Sequence, residues 1–300
     1  MKRVLVTGAT GFLGRAVVLA LACRGFEVHG VARSVPPDAA EATWHSADLL
    51  TDAGRERALT VVRPSHLVHL AWEARPGRYR DDPGNLNWAA ASSDLFARAS
   101  SIGVERIFGI GSCLEYGPYS GPCDETSTAG HPATLYGQAK LAASQRLLGA
   151  DTGAVWGRVF FPFGPCEPED RLIPSLIRSL LAGRIFNCSH GEQLRDFIYI
   201  EDLAHAIVAV LESDMTGVVN LGSGEPRSLR RVVEYFSTRL GKTGQVRFGA
   251  VEATGVDAEP IIAADVRRLR SVTGHGPVVG FREGAERDLA WWIDRLSGPA

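Results

Sequence analysis

The chain has 300 residues, 45% hydrophobic and 22% charged, and 32 Lys plus Arg against 34 Asp plus Glu give a net charge of −2. A chain of this size buries a core without a disulfide or metal staple. The charge balance excludes a generally basic nucleic-acid binder and a charged disordered chain.

Arg3 to Thr7 reads as an apolar strand, Gly8 to Gly14 as a glycine-rich turn and Arg15 to Arg24 as a helix. Within that helix Ala16 to Cys23 is apolar but lies between two arginines. It is far short of the roughly 20 residues a bilayer span needs, so neither a signal peptide nor a membrane partner is expected. Glu27 to Ala32, His66 to Ala71 and Arg106 to Ile110 read as further strands. Asn87 to Ile102 reads as a helix with Trp88, Leu95, Ala99 and Ile102 on one face. A helix over Leu135–Leu148, a strand over Ala154–Phe161 and a helix over Leu172–Leu181 follow. Phe197–Ile200 and Val218–Leu221 read as strands returning to the sheet, and the chain ends in a helix carrying Leu289, Trp292, Ile293 and Leu296.

Alternating strands and helices predict an α/β fold, a doubly wound parallel sheet of the Rossmann kind. The expected division is a dinucleotide-binding domain over 1–165, rejoined by 187–222, and a smaller C-terminal substrate-binding lobe from 166–186 and 223–300. Cys23, Cys113, Cys123, Cys166 and Cys188 are odd in number and lack zinc-ligand spacing. No metal is expected, and a reduced, cytoplasmic protein is.

Gly8-Ala9-Thr10-Gly11-Phe12-Leu13-Gly14 follows the first strand and opens the first helix. With 33 glycines in the chain the spacing alone is weak, but the position is specific. Glycines let the backbone approach a pyrophosphate, and the helix N-terminus offers free N–H groups to it. After the second strand an acid would bind the adenosine ribose. Arg33 and Ser34 stand there instead and suit a 2′-phosphate, which favours NADP(H) over NAD(H).

Tyr136 and Lys140 lie one helical turn apart, in a chain with three lysines and six tyrosines. Such a pair arises by chance about 0.06 times per chain of this composition. A phenol is a poor acid–base group at neutral pH, and a neighbouring ammonium is expected to lower its pKa. Ser112 ends the strand that begins at Arg106, where the carboxyl ends of strands face the ligand crevice. Its hydroxyl there suits a substrate carbonyl oxygen.

In these residues the chain resembles the extended short-chain dehydrogenase/reductases, the branch of nucleotide-sugar epimerases, dehydratases and reductases. The resemblance covers nearly the whole chain. It implies that Ser112, Tyr136 and Lys140 are catalytic. Asp48-Leu49 resembles the adenine-contacting pair, His69-Leu70-Ala71 the strand end beside the cofactor ribose, and Asn87 the helix asparagine near the active site. Arg195-Asp196-Phe197-Ile198-Tyr199-Ile200-Glu201-Asp202 resembles a family signature whose arginine meets the substrate diphosphate, so Arg195 is expected there. Asn220-Leu221-Gly222-Ser223-Gly224 resembles the late strand and turn, and Asp265 the acid before the penultimate helix. Asp202 and Asp265 equally suit helix N-caps, Asp196 a structural acceptor, and the arginines of 227–231 and 267–270 solvated faces. Family members pair through the helices corresponding to 87–102 and 135–148, which implies a homodimer.

The departures narrow the reaction. Sugar-nucleotide 4,6-dehydratases carry Asp-Glu directly after the triad hydroxyl, where this chain has Cys113 and Leu114. Neither does that acid–base work. Glu115 follows and should point away if the strand continues. Phe161 stands where many 4-epimerases have a diphosphate-binding asparagine, and Trp72 follows Ala71 where a small residue is usual. The expectation is therefore an NAD(P)H-dependent reductase of a nucleotide-linked 4-keto-6-deoxyhexose. A UDP-glucose/galactose-type 4-epimerase with tightly held NAD is the alternative, and a non-catalytic cofactor sensor the remote one. Beside the triad hydroxyl, Cys113, Phe161 and Arg195 are expected to meet the nucleotide sugar.

Overall fold

The computed structural model describes residues 2–35, 40–119, 121–149, 153–274 and 276–297. Seven strands form one parallel sheet: β1 (Arg3–Thr7), β2 (Glu27–Ala32), β3 (Thr43–Ser46), β4 (His66–His69), β5 (Arg106–Ser112), β6 (Val155–Val159) and β7 (Gly217–Leu221). Their order is β7-β6-β5-β4-β1-β2-β3, so the winding reverses between β1 and β4. A crevice opens at the carboxyl ends of the strands at such a reversal.

Nine helices are described: α1 (Phe12–Cys23), α2 (Asp52–Val62), α3 (Gly84–Ser101), α4 (Leu135–Leu148), α5 (Leu172–Leu181), α6 (Ile200–Glu212), α7 (Leu229–Arg239), α8 (Arg267–Thr273) and α9 (Gly280–Ser297). On one face of the sheet α2, α3 and α4 bury Leu59, Leu95, Phe96 and Leu147. On the other α1 and α6 bury Val17, Leu21, Leu203 and Ile207. The predicted apolar face of α3 is only partly inward: Leu95 and Ala99 are buried, while Ile102 is 53% exposed. Of the residues assigned to the last helix, Leu289 and Trp292 are buried and Ile293 and Leu296 are exposed.

The expected strand over Ala154–Phe161 is two strands, because the chain changes partners in the middle. Phe160 N–H donates to Leu221 O of β7, and Phe161 N–H donates to Asp196 O. Phe161–Phe163 then pairs in parallel with Phe197–Tyr199, in a separate two-stranded sheet. The segment 197–200 therefore does not return to the main sheet as expected, whereas β7 does. The smaller lobe holds a four-stranded sheet of Arg227–Ser228, Leu194–Arg195, Ile261–Ala264 and Pro122–Cys123, the last contributed from the first half of the chain. Nor is everything after 223 in that lobe, since α8 packs on α6 and β7.

Two carboxylates tie the returning chain together. Asp196 accepts from Ser223 N–H, Ser223 Oγ, Gly224 N–H and Ala264 N–H, which makes it the structural acceptor considered above. Asp202 does not cap the helix that carries it. It accepts from the N–H groups of Val278, Val279 and Gly280, and so caps the start of α9.

Beneath α9 two acids are buried in apolar surroundings, Asp288 at 0% and Glu167 at 5% exposure. Burial pushes Glu167 up to about 8 and Asp288 up to about 7. Glu167 pairs with Arg171 at 3.0 Å. The Asp288 oxygens sit beside the Trp292 indole N–H without meeting hydrogen-bond geometry. Both acids ionise in the unfolded chain near pH 4 but stay protonated in the fold, so their contribution favours the folded state at low pH and is lost as pH rises from 4 to 8. Asp288→Asn is expected to stabilise the protein at pH 8 by about 2–4 kcal/mol and to change little at pH 4. Urea melts of both proteins at the two pH values test this.

Candidate active site

The turn after β1 makes the floor of a cleft of about 520 Å³. Gly8 has φ +65°, and a Cβ on it would fall 2.7 Å from Ala71 N, so only glycine lets this turn cross the end of β4. Gly11 begins α1 with no side-chain cap, and no acid lies in the first turn. The first N–H groups of α1 are left for an anion at the cleft wall. Gly8, Thr10, Gly11, Phe12, Leu13, Gly14, Arg33, Asp48, Leu49, Leu70, Ala71, Trp72, Tyr136 and Lys140 all line this one cleft. The glycine cradle, the uncapped helix and a cation at the end of β2 fit a dinucleotide.

Two of the residues expected there lie elsewhere. Ser34 is exposed and does not line the cleft, whose lining along this segment ends one position earlier at Arg33. Asn87 is exposed on the outer side of α3. The inward asparagine is Asn85, which accepts from Trp72 Nε1 at 2.8 Å and donates to Tyr79 O and Asp82 O. Since α3 begins at Gly84, three residues before the predicted start, the buried face of Leu95 and Ala99 runs back through Ser92 to Asn85, and Asn87 falls off that face.

The candidate catalytic residues meet where α4 presses on the end of β5. Thr134 caps α4, its Oγ1 accepting from Gly137 N–H. A Cβ at Gly137 would fall 2.5 Å from Leu114 O, so the missing side chain lets the helix seat itself against the turn that follows Ser112. Lys140 is buried under that contact. Its Nζ donates to Ile110 O at 2.8 Å and lies 3.8 Å from the centre of the Trp72 ring. Tyr136 is enclosed edge-on by Tyr79, at 4.8 Å between ring centres, and Trp72, at 6.2 Å. Ser112 Oγ accepts from Leu114 N–H, which leaves its own proton to donate.

The titration of this pair differs from the expectation that Lys140 lowers Tyr136. Burial is the largest influence on each group. It pushes Tyr136 above the ordinary phenol range, with Tyr79 and Glu115 adding to it, and pushes Lys140 down to about 7, with Glu115 opposing. The Lys140 ammonium is 5.7 Å from the centre of the Tyr136 ring and directs a hydrogen bond at a carbonyl. Tyr136 thus holds its proton at neutral pH, the state a proton donor needs.

Ser112, Cys113, Tyr136, Phe161 and Arg195 share a second pocket of about 120 Å³ that adjoins a larger one of about 580 Å³. Burial pushes the Cys113 thiol up to about 12, so it is no acid–base substitute for a carboxylate. Arg195 does not present a free fork: both terminal nitrogens are spent on the carbonyls of Leu194, Val256, Asp257 and Glu259. Its place is at the pocket wall, but its hydrogen bonds hold the 256–259 segment. Sequence reading missed Arg80, which grips Asp257 through two bonds of 2.7 and 2.8 Å, and Arg171, which lines both the cleft and the pocket. Arg80 and Asp257 are 177 positions apart, so no local signal joins them.

A doubly wound sheet with a glycine cradle, and a Ser–Tyr–Lys set at the end of β5, define a nicotinamide-dinucleotide enzyme of the extended short-chain dehydrogenase/reductase type. Residues 4–222 match the NAD dependent epimerase/dehydratase family, and the chain belongs to it. It is 28% identical over 276 residues to dTDP-6-deoxy-L-talose 4-dehydrogenase (NAD(+)) of Aggregatibacter actinomycetemcomitans, covering 87% of this chain and 99% of the relative. It is 26% identical over 313 residues to dTDP-6-deoxy-L-talose 4-dehydrogenase (NAD(P)(+)) of Kitasatospora kifunensis, covering 99% and 96%. Among solved structures it is similar to MoeE5 in complex with UDP-glucose and NAD, with a TM-score of 0.83 and 29% identity over 99% of this chain and 100% of that one. Among the described residues no helix is long and apolar enough to cross a membrane, and no three His, Cys, Asp or Glu gather to hold a metal ion.

The close seat of α4 predicts the effect of Gly137→Ala. Displacing Tyr136 by a fraction of an ångström is expected to lower kcat by about 100-fold. Fluorescence titration with NAD(P)H should weaken less than kcat, by under about tenfold, since Tyr136 and Lys140 line one end of the cleft while the cradle around Gly8 is untouched.

Proposed function

We propose that the protein is an NAD(P)H-dependent 4-ketoreductase acting on a nucleotide-linked 4-keto-6-deoxyhexose, with NADP(H) favoured over NAD(H). The observation that carries this reading is the pair of residues after Ser112. Cys113 and Leu114, both buried, replace the acids that would eliminate a hydroxyl, which leaves redox chemistry and no dehydration. Apolar walls from Leu114, Val159, Phe161 and Ile262 suit a sugar whose C6 is a methyl group.

Held by the cradle around Gly8 and by Lys140, a reduced nicotinamide would supply the hydride that the sugar C4 takes up. Ser112 donates its hydroxyl hydrogen bond to the C4 carbonyl oxygen as negative charge grows there. Tyr136 gives its phenolic proton to that oxygen, making the alcohol, and solvent restores the proton. Lys140 would hold the cofactor ribose and stabilise the transient phenolate. Arg33, exposed at the rim beyond β2, would pair with an adenosine 2′-phosphate. The nucleotide end of the substrate occupies the larger pocket, where Arg171 and the Arg195-held segment meet the diphosphate. Exposed Leu86 on α3 and Ile102 at its end suit a homodimer built on α3 and α4, and the protein is read as cytoplasmic.

Purified protein mixed with NADPH or NADH and a panel of nucleotide-linked 4-keto-6-deoxyhexoses is expected to oxidise the cofactor stoichiometrically, faster with NADPH. Tyr136→Phe should lose at least about 100-fold in kcat. Arg33→Ala should raise KM for NADPH about tenfold or more and leave NADH nearly unchanged. Interconversion of UDP-hexoses without net cofactor oxidation would establish the 4-epimerase instead.

A further inference from the structure

We propose that Glu115 is a positioning residue of the catalytic centre, a buried carboxylate that fixes the backbone of Ser112 and sets its charge toward Lys140. The continuing strand that would have turned it away is absent. β5 stops at Ser112, and Cys113–Glu115 form a 3₁₀ turn that swings the Glu115 side chain back beneath the strand end. Glu115 is 0% exposed. Its Oε1 accepts from Ser112 N–H at 2.8 Å and Trp156 Nε1 at 2.9 Å, and its Oε2 accepts from Arg158 Nε at 2.9 Å.

The surrounding sequence is cut to admit it. In the β5–β6 register Gly111 lies opposite Arg158, and a Cβ at Gly111 would collide with Glu115 Oε1 and Trp156 Nε1. Arg158 lies over the Tyr116 ring, 4.2 Å from its centre, and Tyr116 is anchored by Asn220. A buried ion pair rarely stabilises a fold more than apolar residues of the same volume, so stability alone gives no reason for this charge. Its position under the catalytic groups does.

The groups that face Lys140 are few. Glu115 is the anion, with Arg158 behind it on β6. His69 on β4 is neutral, because burial first and Lys140 second push it down to about 3. Tyr136 lies on the same helix. The charges of α3 are engaged elsewhere, Asp94 with Arg55 and Arg98. Glu115 is thus the group that opposes burial at Lys140 and favours its ammonium form, and the same charge favours the protonated form of Tyr136. Both are the forms a proton-donating centre requires.

The inference rests on Ser112, Tyr136 and Lys140 being the catalytic groups, and its test has a readout that needs no substrate. Trp72 lies against the Lys140 ammonium, so the pH dependence of its fluorescence, taken as wild type minus Trp72→Phe, reports Lys140. Glu115→Gln is expected to move that midpoint down by about one unit or more. It should also lower kcat at least about tenfold while KM for the sugar nucleotide changes less than about threefold. The double variant Glu115→Gln with Arg158→Gln removes the unpaired cation. It is expected to restore the melting temperature but neither the Lys140 midpoint nor kcat. An unchanged midpoint in Glu115→Gln, or recovery of midpoint and kcat in the double variant, overturns the inference and leaves Glu115 as a partner for Arg158 only. If the protein reduces no ketosugar, the proposed substrate is wrong, and the fluorescence midpoint still decides the role of Glu115.

Discussion

A lysine that is 2% exposed must find its hydrogen bonds and its countercharge inside the protein. Lys140 finds the first at Ile110 O, so β5 has to end with a carbonyl aimed at α4, and α4 has to come close enough to use it. Much of the local architecture follows from that. Gly137 removes the side chain that would hold the helix off, Thr134 secures its first turn, and Trp72 closes the remaining side with a ring face. The apolar enclosure that keeps water from Lys140 also encloses Tyr136, which is why both groups lie far from their ordinary pKa values.

The second organising constraint is the satisfaction of backbone N–H groups where the chain crosses between lobes. The segment 194–202 serves three places at once. Arg195 collects the carbonyls of the 256–259 segment, Asp196 the N–H groups of 223, 224 and 264, and Asp202 those that open α9. Charged residues here act as junctions for main chain. Their sequence pattern resembles a ligand-binding signature, yet most of their hydrogen bonds stay within the protein.

What the sequence disclosed was local. The glycine turn between strand and helix, the i,i+4 spacing of Tyr136 and Lys140, and the serine at a strand end are each complete within a few residues, and they meet in one place. The fold class followed from alternation alone. Short-range patterns failed where a boundary depends on a distant partner. Phe160 and Phe161 look like one strand until β7 and Asp196 claim successive N–H groups. Asn87 stands at the predicted start of α3, whereas the helix runs back to Gly84 and its buried face reaches Asn85. α2 has a narrow apolar stripe of Ala58, Leu59 and Val62 and gave little periodic signal. The role of Glu115 depended on the strand stopping at Ser112, which strand periodicity does not encode.

Arg80 offers α4 and the C-terminal lobe two different parts of itself. Its carbonyl accepts from Tyr136 N–H at 2.8 Å, and its guanidinium holds Asp257. Every amino acid has the carbonyl, and only arginine has that planar fork. Mutation therefore separates the two duties cleanly. Drift at position 80 can sever the lobe from the loop while the seat of the tyrosine is inherited intact, so the hold between lobe and loop is free to evolve on a backbone contact that residue 80 cannot lose.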